Sequence, residues 1–287
     1  MCYDFILRLD PNSNRRLILW IQDPRPISAW EKIGEMKKIE DHSFYNQKNY
    51  DQVKRWFDMG RVKFITQGET LSPLARELYS FSSKVEPDIV PNPVFIEPNF
   101  SFNIEEKEKI VVFLGRLEAQ KRAWIFCEIA KLMPEYQFYV IGKFYRYRDE
   151  NENTLRSYLD GKIKNLHFCG HLFGKEKVLL LKRARVLVNT SIWEGIPISW
   201  LEALSYGTVI ISAFDRENIV KRFGKYIGEI KGDGENSANL FVPHIKSFLE
   251  DDVLYEKNAN QAIDYIKENH AFNQFKKKIR NIIRKSL

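Results

Sequence analysis

From Lys109 onward, short apolar runs alternate with amphipathic helical patterns, and this alternation restricts the fold more than any other feature of the sequence. The apolar runs are rich in β-branched residues on both faces, which is typical of parallel strands covered on both sides. In chain order the paired runs are IVVFL and RAWIFCEIAKL, FYVIG and NTLRSYLDG, NLHFCG and EKVLLLKRA, VLVNTS and ISWLEALSYG, and VIISAF and RENIVKRFG. The pattern predicts an α/β fold with a full doubly wound parallel sheet, as in a Rossmann-like domain.

The first hundred residues show the same alternation more weakly. The strand-like runs are YDFILRL, RRLILWI, RVKFITQ and DIVPNPV, and helical patterns cover Trp30 to Asp58 and the run SPLARELYSF. This amounts to about half of a second α/β domain, and a complete unit would need further strands ahead of Met1. The segment from Phe95 to Glu108 is interpreted as a linker. We therefore expect an incomplete first Rossmann-like domain over residues 1–99 and a complete one over residues 100–268.

Residues 269–287 are predicted to form a basic amphipathic helix, because lysines and arginines alternate there with apolar residues at helical spacing. Two interpretations remain open. The apolar stripe docks on the rest of the protein, or the helix lies on an anionic membrane surface. The whole chain has 45 basic and 38 acidic residues, a formal charge of +7, which favours an anionic partner without identifying it.

The N-terminal residues Asp4, Arg8 and Asp10 fall where a signal peptide would keep its apolar centre, and no apolar run reaches the roughly 20 residues of a transmembrane helix. We therefore expect a cytoplasmic chain, with peripheral contact at the inner membrane face through the C-terminal helix. The three cysteines lack CxxC spacing and are expected to be buried thiols. Only His167 and His171 share a neighbourhood, and no nearby carboxylates complete a metal site.

Three loops that follow predicted strands carry the candidate site residues, because ligands of parallel sheets bind at the carboxyl ends of the strands. In VVFLGRLEAQKR, Gly115 permits a tight turn and is followed by Arg116 and Lys121. An arginine fork, a lysine charge and a helix N-terminus together suit a pyrophosphate. The alternative is a pair of solvated surface cations, and the position of Gly-Arg directly after a strand favours the phosphate role.

The second loop is in NLHFCGHLF, where a strand ends at Gly170 and His171 follows. Backbone groups at this turn could meet the edge of a nucleobase, and the imidazole could stack on it. A histidine that only caps the turn is an equal alternative.

The third loop is in NTSIWEGIPISWLEALSYGT, where Glu194 and Glu202 flank small and apolar residues. Backbone N–H groups at the helix start, unblocked at Gly195, can bind phosphate or sugar oxygens. The two carboxylates can accept hydrogen bonds from sugar and ribose hydroxyls. A structural alternative exists for Glu202, because Ser199 and Glu202 match the S-x-x-E capping box.

In this order and spacing, the three segments resemble the retaining glycosyltransferases of family 4, which have the GT-B fold of two Rossmann-like domains facing a cleft. The matching segments are GRLEAQK at Gly115–Lys121, FCGH at Phe168–His171 and EGIPISWLE at Glu194–Glu202. The E-x7-E spacing gains its specificity from the ALSYGTVIIS that continues it. The resemblance covers the chain from about Lys109 onward, and the runs SPLARELYSF and DIVPNPV resemble the last part of the family's first domain.

The resemblance implies that Arg116 and Lys121 clamp the donor diphosphate and stabilise the negative charge of the departing nucleoside diphosphate. It places Glu194, the third residue of the catalytic set, on the donor sugar and Glu202 on the ribose. The remaining contacts with the nucleotide-sugar are assigned to Gly115, His171, Gly195, Ile196, Pro197 and Ile198.

Family members act without a metal, and the sequence contains no D-x-D triplet, so neither a metal nor a cofactor is expected. The resemblance fails at the beginning of the chain. The family's first-domain histidine falls at Leu9, beside Asp10, and Asp23 and Arg25 in WIQDPRP are the other polar groups expected to face the cleft.

The sequence therefore predicts a hexosyltransferase that moves a sugar from a UDP- or GDP-linked donor to a glycan or lipid-linked acceptor, with retention, in surface polysaccharide biosynthesis. The alternative is a shortened homologue that binds nucleotide-sugar without catalysis and acts as a partner module. Nucleic acid is not an expected partner, because the aromatic residues lie in predicted strands and helices without a nucleic-acid motif.

Overall fold

The computed structural model describes residues 16–37, 46–144 and 150–286, which form two parallel β-sheets flanked by helices. The first sheet has the strand order β1-β2-β3. Its strands are β1 (Leu17–Ile21), β2 (Val62–Thr66) and β3 (Asp88–Ile89). They lie within the predicted runs RRLILWI, RVKFITQ and DIVPNPV. The predicted strand YDFILRL, with Leu9 and Asp10, lies outside the described residues.

Within the described residues, the helices that accompany the first sheet are α1 (Ile27–Gly34), α2 (Gln47–Asp58) and α3 (Leu71–Tyr79). Helices α2 and α3 bury Trp56 and Leu78 against Leu19 and Phe64 of the sheet. Helix α1 instead contributes Ala29 to the core of the second sheet. The first part of the chain is therefore joined to the second by buried apolar contact.

The second sheet has six parallel strands in the order β6-β5-β4-β7-β8-β9. They are β4 (Glu108–Leu114), β5 (Gln137–Ile141), β6 (Leu166–Gly170), β7 (Ala184–Asn189), β8 (Val209–Ser212) and β9 (Gly224–Tyr226). All residues of β7 and β8 are buried, as the two-sided apolar runs predict. The order reverses between β4 and β7, and the carboxyl ends of these two strands flank the crevice where such sheets bind ligands.

Helices cover both faces of the second sheet and contribute to its two hydrophobic clusters. They are α4 (Ala123–Leu132), α5 (Glu150–Arg156), α6 (Gly174–Arg183), α7 (Ile198–Ser205), α8 (Ile219–Arg222), α9 (Val242–Glu250) and α10 (Asp252–Asn269). The helix predicted from RENIVKRFG is shorter than expected, because Glu217 and Asn218 have φ angles of 53° and 55°, which a right-handed helix excludes. Strand β9 and helices α9 and α10 extend beyond the predicted pattern.

The C-terminal helix α11 (Phe272–Ser286) packs its apolar stripe on the first sheet. Phe275 stacks on Trp20 with ring centroids 5.3 Å apart, and Ile282 is buried with Ile65 and Val90. Of the two interpretations, the apolar stripe of α11 therefore docks on the rest of the protein. The opposite face exposes the basic residues Lys276, Lys277, Lys278, Arg280, Arg284 and Lys285.

The chain crosses between the two sheets at two places that lie side by side. The N–H of Val94 donates to the carbonyl of His270 at 2.9 Å, and His270 Nδ1 lies 2.8 Å from the carbonyl oxygen of Asn92. His270 is buried, and this burial lowers its pKa. The two crossings are therefore tied to each other by backbone and side-chain hydrogen bonds.

Two of the three cysteines fall within the described residues. Cys127 is a fully buried free thiol, as predicted, and its burial raises its pKa. Cys169 is also free but only partly buried. Across residues 16–37, 46–144 and 150–286, no helix combines the length and apolar character that a membrane crossing requires.

Candidate functional site

The loops after β4 and β7 bring Lys121 and Glu194 together at the carboxyl ends of these strands. Lys121 ends a short 3₁₀ turn, Ala119–Lys121, and its Nζ lies 2.5 Å from Glu194 Oε1. The two side chains are 16% and 9% exposed. Two candidate residues that are 73 positions apart in sequence therefore form one partly buried ion pair at the switch point of the sheet.

Two further hydrogen-bond donors contact the Glu194 carboxylate. Ser191 Oγ donates to Glu194 Oε1 at 2.6 Å, and Asn189 Nδ2 lies 3.4 Å from the same oxygen. Burial by itself would raise the pKa of Glu194, but the charge of Lys121 and these hydrogen bonds outweigh it and lower the pKa. Glu194 is thus an ionised acceptor on the crevice wall.

Arg122 holds the loop after β4 in place, although nothing in its sequence neighbourhood distinguishes it from the other cations. Its side chain is fully buried, its φ is 49°, and its Nε donates to the carbonyl of Thr190 at 2.7 Å. Its Nη1 donates to Ile230 O and Gly232 O at 2.7 and 2.9 Å. Burial lowers the pKa of Arg122 to about 10. One of the cations of GRLEAQKR is therefore structural, and it directly follows Lys121.

Arg116 lies in the same loop but faces solvent. Its side chain is 53% exposed, and Nη2 lies 3.0 Å from Glu118 Oε1. Gly115 is positioned by Gly142, since a Cβ at Gly142 would strike the Gly115 carbonyl oxygen. Sequence reasoning missed Gly142, although it ends the run FYVIG. Arg116 is therefore near the site but separate from the Lys121–Glu194 pair.

Gly195 follows Glu194 and lies against the first part of the chain. A Cβ at this position would strike the carbonyl oxygen of Gln22 and lie 2.9 Å from Gln67 Nε2. Ile196 is buried in the core, Pro197 is the N-cap of α7, and Ile198 begins that helix with 51% exposure. Gly195 thus allows a close approach between the two parts, a role that its sequence position did not reveal.

Glu202 pairs with Lys177, whose Nζ lies 2.6 Å from Glu202 Oε1. The capping-box alternative is wrong, because α7 begins at Ile198, one residue before Ser199, and its N-cap makes no side-chain hydrogen bond. Glu202 is 29% exposed and remains accessible at the carboxyl end of the sheet.

His171 follows β6 at the same edge of the sheet and is exposed. Its ring centroid lies 6.1 Å from that of Phe173, and Gly170 before it has a φ of 66°. The positive φ explains the glycine at the end of this strand. The two rings offer an exposed aromatic surface at the carboxyl end of β6, which is the outermost strand on this side of the sheet.

Asp23 and Arg25, in the loop after β1, face the second sheet as expected. Asp23 Oδ1 accepts a hydrogen bond from Trp193 Nε1 at 3.0 Å, and Arg25 Nη1 donates to Gln120 Oε1 at 2.9 Å. Both contacts join the first part of the chain to the loops that carry Lys121 and Glu194.

Arg216, after β8, is a further site residue that sequence reasoning missed. Its Nε donates to the carbonyl of Glu194 at 3.3 Å, and its guanidinium lies 4.8 Å from the Trp193 ring centroid and 4.5 Å from that of Phe214. Burial lowers the pKa of Arg216. Within the described ranges, no three His, Cys, Asp or Glu side chains form a set that could hold a metal ion.

The sequence matches the family model "Glycosyl transferases group 1" over residues 95–269, which is more than half of the 287-residue chain. One relative is an uncharacterised glycosyltransferase of Methanocaldococcus jannaschii, 25% identical over 217 residues, or 70% of this chain and 48% of the relative. Another is the Escherichia coli UDP-Gal:alpha-D-GlcNAc-diphosphoundecaprenol alpha-1,3-galactosyltransferase, 27% identical over 250 residues, or 76% of this chain and 60% of the relative. The chain thus spans about half the length of these relatives.

The structure is similar to that of a mutant of S. aureus TarM, solved in complex with fondaparinux, alpha-GlcNAc-glycerol and UDP. The TM-score is 0.67 at 19% identity, and the match covers 97% of this chain and 53% of TarM. This likeness shows that the fold is GT-B, with two Rossmann-like domains, as the sequence predicted. The family match, which covers more than half of the chain, shows that the chain belongs to the group 1 glycosyltransferases.

Proposed function

We propose that the chain transfers a sugar from a nucleotide-sugar to a glycan or lipid-linked acceptor, with retention at the anomeric carbon. The observation that carries the proposal is the Lys121–Glu194 ion pair at the switch point between β4 and β7. A cation and a carboxylate side by side match the two ends of a sugar diphosphate, which offers phosphate oxygens and hydroxyl donors. The family membership of the chain supports the same reaction class.

In this proposal the diphosphate binds Lys121 and Arg116. The phosphate draws the Lys121 ammonium toward itself, while Ser191 and Asn189 continue to donate to Glu194. The freed lone pairs of Glu194 then accept hydrogen bonds from the donor sugar. The bond between the anomeric carbon and the diphosphate oxygen breaks as the acceptor hydroxyl oxygen bonds to the same face of that carbon, and the hydroxyl proton passes to the departing diphosphate. Both cations stabilise the growing negative charge on the diphosphate without a metal.

The remaining contacts surround this centre. Glu202 accepts from the ribose hydroxyls, His171 lies at the base, and the backbone of Gly115 and of Gly195 to Ile198 meets the phosphates or the donor sugar. The helix N-terminus at Ile198 supports an anion there, since its first N–H groups lack partners within the helix.

The names of the relatives favour UDP over GDP and a lipid-linked acceptor. The Escherichia coli relative uses UDP-Gal and a diphosphoundecaprenol-linked sugar by name, and TarM was solved with UDP. With a lipid-linked acceptor, we propose a role in surface polysaccharide biosynthesis on the cytoplasmic side of the membrane.

Calorimetry with UDP and GDP tests the donor site, with UDP expected to bind. Arg116→Ala and Lys121→Ala should each weaken UDP binding by about tenfold, because each removes a charge-assisted contact. Arg183→Ala is the matched control, since Arg183 also pairs with a glutamate, Glu108, but near the opposite end of β4. Failure of the wild-type chain to bind either nucleotide would refute the proposal. Binding without transfer from any UDP-sugar would support the non-catalytic partner module instead.

Peripheral membrane contact is the remaining part of the proposal, and the exposed basic face of α11 carries it. Cosedimentation with vesicles should detect binding to phosphatidylglycerol and little binding to phosphatidylcholine. Replacing Lys276, Lys277 and Lys278 together by glutamine should reduce that binding while UDP affinity stays constant. Equal sedimentation of the variant and the wild type would count against this role.

A further inference from the structure

The loop after β1 contacts the residues that directly precede the two members of the Lys121–Glu194 pair. Asp23 accepts from the indole of Trp193, which precedes Glu194. Arg25 donates to the side chain of Gln120, which precedes Lys121. A single short loop of the first domain therefore holds both halves of the candidate donor site.

Asp23 and Arg25 act as one rigid unit. Arg25 Nε and Nη2 both donate to Asp23 Oδ2, at 2.7 and 2.5 Å, while Asp23 Oδ1 remains for Trp193. The side chains are 27% and 20% exposed, so solvent screens this pair less than a typical surface ion pair. Fixing either residue in space therefore fixes the other.

The two contacted loops are also tied to each other within the second domain. The backbone N–H of Ile192 donates to the carbonyl of Gln120 at 3.0 Å. Trp193 is 6% exposed, and its indole packs against Arg216 and Phe214, with 5.9 Å between its ring centroid and that of Phe214. Because Trp193 is packed tightly and directly precedes Glu194, a displacement of Trp193 also displaces Glu194.

We infer that Asp23 and Arg25 are positioning residues, which align the Lys121–Glu194 pair with the first domain and hence the donor sugar with the acceptor. The inference rests on the proposed function. Nucleotide affinity depends mainly on second-domain groups, so it should survive the loss of this alignment. Turnover should fall, because misplacing reacting groups by about 1 Å is enough to slow a reaction strongly.

Kinetics on three variants test the inference. Trp193→Phe removes the indole N–H together with one of the two fused rings. Asp23→Asn keeps an oxygen for Trp193 but weakens the Arg25 contact, and Asp23→Ala removes both contacts. We expect kcat to fall about tenfold in each, with UDP affinity and donor KM within about twofold of wild type. In the double variant Asp23→Ala with Trp193→Phe, the losses should overlap rather than multiply.

Lys32→Ala is the matched control, because Lys32 pairs with Glu229 across the same two domains, 2.9 Å apart, without touching the donor loops. Its kcat should equal that of wild type. Hydrogen exchange gives a readout that does not need turnover, since Asp23→Ala should raise exchange in residues 190–195 and Lys32→Ala should not.

The outcomes separate the two proposals. A wild-type chain that neither binds UDP nor transfers a sugar overturns the proposed function and the inference with it. Transfer by wild type, with unchanged kcat and exchange in Asp23→Ala and Trp193→Phe, overturns only the positioning role. Independent, multiplicative losses in the double variant also contradict it, because they would mean that the two residues act separately.

Discussion

The Glu194 carboxylate is buried and yet ionised, because one cation and two neutral donors surround it. Sequence reasoning identified Glu194 and Lys121 separately, from their positions after predicted strands. It could not pair them, since their contact depends on β4 and β7 being neighbours in a sheet whose order the local pattern does not encode. It also missed Arg122 and Arg216, whose burial is a property of the packed loops and not of their sequence neighbourhood.

Removing the partner of this carboxylate should be costly at neutral pH. We expect Lys121→Ala to destabilise the fold by about 2 kcal/mol, because it leaves a buried charge without its cation. Chemical denaturation followed by circular dichroism measures this. The double variant Lys121→Ala with Glu194→Gln is the matched control and should recover much of the loss, since it buries no unpaired charge.

The stability lost in Lys121→Ala should depend on pH in a defined direction. In the wild type, the lowered pKa of Glu194 adds stability above the unfolded value of about 4.3, which is lost as the pH falls through the folded pKa. Without Lys121, burial raises the pKa, so the folded variant gains a proton first. The difference in stability should therefore shrink as the pH approaches about 4.3, and a constant difference would contradict this account.

Gly195→Ala should destabilise the protein by about 1–3 kcal/mol and lower turnover, because its Cβ would meet the Gln22 carbonyl of the other domain. Thermal unfolding and initial rates measure the two effects. The control is Gly34→Ala, where a Cβ has nothing within 4 Å and the substitution should be neutral or slightly stabilising. Equal melting temperatures for Gly195→Ala and wild type would show that the two domains can move apart near Gly195 and Gln22 at little cost in stability.

At the scale of elements, buried strands were the most predictable features. Runs such as VLVNTS and VIISAF became β7 and β8, because only a strand covered on both faces needs apolar residues throughout. The edge strand β9 escaped prediction, since its sequence GKY is not apolar. Helix α8 is shorter than its pattern because Glu217 and Asn218 have positive φ angles, and Glu217 accepts hydrogen bonds from Thr70 of the first domain.

Helix α11 offers a matched pair of neighbouring isoleucines. Ile282 is 5% exposed against the first sheet, whereas Ile283 is 43% exposed. We expect Ile282→Ala to cost about 3 kcal/mol and Ile283→Ala less than about 1 kcal/mol, as measured by urea denaturation. Similar costs for both would mean that α11 is not fixed on the sheet in this register.

For the whole molecule, the sequence predicted two α/β domains but not how their parts are shared. Helix α1 of the first part contributes to the second core, and α11 from the end of the chain completes the cover of the first sheet. The packing of these two helices depends on contacts between segments that are distant in the sequence. The hydrophobic periodicity of a short stretch of sequence cannot show such contacts. The family resemblance supplied the two-domain arrangement.

His270, at the paired crossings, predicts how stability changes in mild acid. Burial lowers its pKa, so below the unfolded value of about 6.5 the unfolded chain binds a proton that the folded chain resists. Wild-type stability should therefore fall between about pH 7.5 and 5.5. His270→Asn should show a smaller fall in its urea midpoint, and an identical fall would assign the effect to other groups.

The paired crossings also determine how the cleft can open. Because Val94 and His270 are hydrogen-bonded, sliding one domain along the other would break the tie, whereas rotation about it would not. Both covalent connections between the described parts of the two domains therefore lie side by side at this tie. A rotation wide enough to open the cleft would also have to break the hydrogen bonds from Thr70 to Glu217 and withdraw Ala29 of α1 from the core of the second sheet.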